Sequence, residues 1–108
     1  MEKYIVQKAQ KIVSALYLIT DLIKESDSIK CYIREEGILF VSQTLMLNAT
    51  LPIEKEHAMA SVFLSTEKIT SLLKISLASS LISKMNADIV IHEISSLVEF
   101  IKNKTFLF

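Results

Sequence analysis

One cysteine, one proline and one glycine stand in a chain of 108 residues. Each shortage removes a class of structure. Hairpins and sandwiches need many Gly and Pro turn residues, so the composition points away from a β fold. A Gly-rich phosphate loop cannot be built with Gly37 alone. Cys31 makes no intrachain disulfide and has no C-x-x-C partner, so nothing requires an oxidising compartment. A charge excess is missing too: Lys+Arg and Asp+Glu number 12 each, whereas non-specific nucleic-acid binding leaves a basic surplus. The start, Met1-Glu2-Lys3-Tyr4, lacks the pattern of a signal peptide. The longest uncharged run, Gly37 to Ile53, holds Ser42, Gln43, Thr44, Asn48, Thr50 and Pro52 and is a poor membrane span. No membrane partner and a cytoplasmic location are the expectations.

What is abundant favours helix. Ala, Leu, Lys, Glu, Gln and Met are frequent, and Ile sits at helical spacing rather than in alternation. The length suits a single domain at residues 1–108 that buries its core without disulfides or metal. Hydrophobic residues make up 51% of the chain and mean hydropathy is +0.42, more than one small bundle can hide. Self-association into a homo-oligomer is therefore expected.

The spacing predicts four helices, at about 3–24, 29–47, 52–82 and 86–102. Ile5, Ala9, Ile12, Val13, Leu16, Ile19 and Ile23 form the first apolar stripe. Glu25-Ser26-Asp27-Ser28 then supplies side chains able to cap the second helix. On that helix Ile29, Ile33, Phe40, Thr44 and Leu47 mark one face, widened by Val41 and Leu45. Gly37 costs roughly 1 kcal/mol against Ala in a helix interior, and close approach of another helix explains it better than a kink. Pro52 suits the first turn of a long third helix, with Glu54 and Glu56 offsetting its dipole. Its stripe is Met59, Val62, Phe63, Ile69, Leu72, Leu73, Leu77 and Leu81, and Ser71, Ser76, Ala78, Ser79 and Ser80 are small enough for close helix contact. Asn86 is the expected N-cap of the fourth helix, with Asp88 in its first turn and Ile91, Ile94, Leu97, Val98 and Ile101 facing inward. Short connections force antiparallel neighbours, so the fold class is all-α, an up-down-up-down four-helix bundle.

Motifs that carry chemistry are few. Glu54 and His57 have the E-x-x-H spacing of carboxylate-bridged metal bundles, but the second such motif is missing because Ile89 stands three positions before His92. They read as a solvated helix start. His92 and Glu93 show no nucleophile or pocket to serve, which suits a boundary histidine. Lys30 and Arg34 lie near Cys31 and would lower its pKa, although a lone semi-buried thiol is the commoner outcome. Lys3, Lys8, Lys11, Lys30 and Arg34 are interspersed with acids, as on a mixed solvated face. No catalytic, cofactor-binding or metal-ligating residue is assigned, and no cofactor is expected. The tail Asn103-Lys104-Thr105-Phe106-Leu107-Phe108 ends in three large apolar groups. Phe106, Leu107 and Phe108 are the candidate oligomer interface, docking on their own bundle or on a neighbour.

Leu72-Leu73-Lys74-Ile75-Ser76, Leu81-Ile82-Ser83 and a last helix ending Leu97-Val98-Glu99-Phe100-Ile101 resemble a family of small four-helix bundles. That family includes the intervening-sequence proteins of 23S rRNA genes and the Avd accessory proteins of diversity-generating retroelements. The segment from Lys8 to Thr20 is also similar to bundle proteins of small-genome bacteria. The resemblance implies a ring-like homo-oligomer and, in the Avd branch, association with RNA and a reverse transcriptase. Lys68 and Lys74 match that branch's basic positions on the third helix. The departure is charge, since Avd-type proteins are basic and this chain is neutral. The expected function is a non-enzymatic, self-associating helical scaffold or adaptor; the alternative is an accessory protein that binds RNA and a reverse transcriptase.

Overall fold

Apolar side chains spaced by three and four line up on one side of a helix, and in the computed structural model they do so four times. The structure describes residues 2–106, with side chains described for residues 3–104. Its helices are α1 (Glu2–Thr20), α2 (Ser28–Leu45), α3 (Pro52–Ala78) and α4 (Lys84–Phe106), and a 3-10 turn, Met46–Asn48, extends α2. The main packing runs from α1 to α2, α2 to α3, α3 to α4 and α4 back to α1, the square of an up-down-up-down bundle. The molecule is 43 Å long, close to the ~40 Å that the 27 residues of α3 span, so the bundle is one helix deep. No helix among the described residues is long and apolar enough to cross a membrane.

The core follows the predicted stripes. Ile5, Ala9, Ile12 and Leu16 of α1 meet Ile33 and Phe40 of α2, Val62, Ile69 and Leu73 of α3, and Ile94, Leu97 and Ile101 of α4. Ala87 and Val90, outside the predicted stripe of α4, are buried as well. A Cβ on Gly37 would stand 3.2 Å from Leu16 Cδ1 and 3.4 Å from Val13 Cγ1, so this glycine lets α2 approach α1. Leu45, expected to widen the core face of α2, is 52% exposed. Of the five small residues expected to allow close contact, only Ser76 is buried, its hydroxyl donating to Leu72 O at 2.9 Å; Ser71, Ala78, Ser79 and Ser80 face solvent.

Helix ends depart from the expected positions where capping groups decide them. α1 stops at Thr20 rather than near Lys24, where the chain tightens into turns closed by Asp21 N to Leu18 O at 3.3 Å and Ile23 N to Thr20 O at 3.0 Å. Asp27 caps α2, its carboxylate accepting from Ile29 N at 3.0 Å. Pro52 occupies the first turn of α3 as expected. α3 ends at Ala78, short of Ile82. There Leu81 N donates to Ser76 O at 2.8 Å and Ser80 N to Leu77 O at 3.0 Å, with Ser80 at φ 60°. These paired bonds around a left-handed residue terminate many helices, with glycine in the place Ser80 takes here. α4 begins at Lys84, before the expected Asn86, since Ser83 Oγ accepts from Asn86 N at 3.1 Å and is the cap. It runs past Lys102 to Phe106.

A left-handed conformation is costly for a residue with a Cβ and nearly free for glycine. Ser80→Gly is expected to raise unfolding stability by about 1 kcal/mol, read as a higher urea midpoint at unchanged m-value. A lower midpoint would show that Ser80 is held there by more than the end of α3.

Candidate functional site

The basic residues that sequence placed on a solvated face do structural work where α1 meets α2. Lys30 is 5% exposed. Its ammonium donates to Ile23 O at 3.0 Å, to Asp21 O at 3.3 Å and to Glu25 Oε1 at 2.6 Å. One turn on, Arg34 Nε donates to Thr20 Oγ1 at 3.1 Å and Nη2 to Tyr17 O at 3.1 Å, with the guanidinium carbon 4.5 Å from the Tyr17 ring centre. The last carbonyls of a helix lack partners further along it, and here Arg34 reaches that of Tyr17 while Lys30 holds the two carbonyls of the turn that follows. Lys8 is likewise engaged, bridging to Glu93 of α4 at 3.0 Å.

This arrangement corrects the expectation for Cys31. The thiol is exposed rather than semi-buried, and it donates to Glu35 Oε1 at 3.3 Å. With Lys30 and Arg34 turned towards α1, the hydrogen bond and negative charge of Glu35 raise its pKa above the ordinary value. Glu54 and His57 lie exposed in the first turns of α3, and His92 is exposed on α4. Among the described residues no group of three His, Cys, Asp or Glu side chains is placed to hold a metal ion.

Lys68 and Lys74 line neighbouring grooves rather than one. Lys68 lines the groove between α2 and α3 with Glu35, Glu36 and Glu67, and Lys74 lines the groove between α3 and α4 with Glu67 and Glu99. The side chain of Phe106, with Leu107 and Phe108, lies outside the described residues.

What the surface does offer is apolar area. Leu22 is 93% exposed, Leu18 77% and Met85 70%, all near the end of the bundle where α1 stops and α4 starts. Leu51 and Ile53, in and just after the α2–α3 connection, are more than half exposed. The most regular feature is the outer face of α2. Cys31-Tyr32, Ile38-Leu39 and Leu45-Met46 recur at seven-residue steps, with Glu35 and Ser42 between them, and all six are exposed. The core stripe of the same helix, through Ile33, Phe40 and Thr44, faces the opposite way. The seven-residue repeat is visible in the sequence, but reading a single apolar face per helix passes over it.

The chain matches no family model, no curated protein and no solved structure.

Two outcomes follow from these contacts. Lys30→Ala removes the donor held by the carbonyls of Asp21 and Ile23 and is expected to cost about 2 kcal/mol of stability by denaturant unfolding. Glu25→Gln should be much milder at neutral pH, because Glu25 is largely exposed. Its carboxyl is held below the ordinary pKa, by the hydrogen bond from Lys30 and then by that residue's charge. The linked stability is therefore present above the ordinary glutamate value and is lost as pH falls through the lowered one, a slope that Glu25→Gln should flatten.

For Cys31, a raised pKa means less thiolate at a given pH. Iodoacetamide should modify it more slowly than a free cysteine at pH 8, and Glu35→Gln should speed the reaction several-fold. Equal rates in both proteins would contradict this role of Glu35.

Proposed function

We propose that this chain is a non-enzymatic, self-associating helical scaffold or adaptor. The observation that carries the reading is the exposed apolar surface, which includes Leu18, Leu22 and Met85, the outer face of α2, and Leu51 with Ile53. Large exposed apolar patches on a small domain mark sites of protein contact. At roughly 25 cal/mol per Å², covering a few hundred Å² contributes several kcal/mol before the costs of association. Several separate surfaces let one copy contact more than one neighbour, as a scaffold must.

An accessory protein that binds RNA and a reverse transcriptase is the alternative implied by the resemblance to Avd-type bundles. It would need a basic surface, whereas Lys68 and Lys74 sit in different grooves beside acidic residues.

Light scattering at micromolar concentration is expected to give a mass above 12.2 kDa that falls on dilution. A mass of 12.2 kDa throughout that range would remove the scaffold reading. Salt-sensitive retention of structured RNA in a gel shift, weakened by charge reversal at Lys68 and Lys74, would move the assignment to the alternative.

A further inference from the structure

We infer that the self-association surface is the outer face of α2, and that two copies pair these helices antiparallel about a two-fold axis passing beside Ile38 and Leu39. This rests on the scaffold reading and specifies its contact. A seven-residue apolar repeat is the spacing that keeps one helix seam facing another helix over several turns. Here Tyr32, Ile38, Leu39, Leu45 and Met46 are 46–59% exposed, on the side of α2 that faces away from its own core.

The order of residues along the seam selects the partner and its direction. The doublets at 31/32 and 45/46 lie equally far on either side of 38/39, so the seam reads alike from both ends. A self-complementary patch of this form is what a closed two-fold dimer of identical chains requires. Polarity decides between orientations. Parallel pairing would set Glu35 against Glu35, like charge on like charge in a desolvated seam. Antiparallel pairing sets Glu35 against Ser42 of the second copy, whose hydroxyl can donate to the carboxylate. A polar residue in an otherwise apolar seam fixes register at some cost in affinity. The five large side chains offer roughly 500 Å² per copy, below the ~800 Å² of a standard interface, so the dimer should form at micromolar rather than nanomolar concentration.

Light scattering and spin-label distances test this on the full chain. Ile38→Glu and Leu39→Glu change exposed positions, so circular dichroism should stay helical while the mass falls from a dimer to 12.2 kDa. Leu22→Glu and truncation after Lys102 should keep the dimer mass. Spin labels at Cys31 of the wild type should lie about 15 Å farther apart than labels at Ile38→Cys in a Cys31→Ser background, from an axial offset of about 20 Å between helices ~10 Å apart. Equal distances at the two positions would overturn the antiparallel arrangement. If the wild type associates and both glutamate variants keep its mass, α2 is not the surface while self-association stands. A truncated chain that alone loses the dimer would transfer the contact to the tail. A monomeric wild type removes the scaffold reading and this inference together.

Discussion

Helix α1 stops at Thr20, and two cations of α2 reach the carbonyls at its end and in the turn that follows, Arg34 that of Tyr17 and Lys30 those of Asp21 and Ile23. Lys30 and Arg34 stand one turn apart, so holding both against the end of α1 fixes how α2 is rotated about its own axis. That rotation carries Ile33, Gly37, Phe40 and Thr44 inward and turns Ile38 and Leu39 out. Gly37 then permits the close approach to Leu16 that the rotation demands. The core on one side of α2 and the apolar seam on the other are two results of the same set of hydrogen bonds.

Much of this was legible because it is local. The stripe of Ile5, Ala9, Ile12 and Leu16 needs only a helical repeat, and Pro52 announces the start of α3. The cap at Asp27 is decided within three residues. What escaped depends on parts of the chain that meet only after folding. Lys30 looks like any surface lysine until Asp21 and Ile23 present their carbonyls to it. Ser83 and Asn86 are both able caps, and only the geometry of the chain leaving Ser80 chooses between them. On α2 two apolar stripes face opposite ways, and a search for one hydrophobic side finds the stripe through Ile33 and Phe40 and discards the other as noise.

The surface explains a composition that the fold by itself does not. Core residues account for part of the high hydropathy, and residues such as Leu18, Leu22, Met85 and the α2 doublets account for the excess. Balanced charge fits the same picture. Lys8, Lys30 and Arg34 are paired with acids of other parts of the fold, and Lys84 with Asp88 of its own helix.

The buried ammonium of Lys30 also bears on how the molecule breathes. Isolated helix ends fray one residue at a time, each on its own equilibrium. Here the end of α1 cannot loosen without baring a cation at the start of α2, and α2 cannot unwind there without stranding the carbonyls of Asp21 and Ile23. The two ends are thermodynamically one object. The hydrogen-bonded amides at the end of α1 and the start of α2 should therefore exchange with solvent together, through one shared opening.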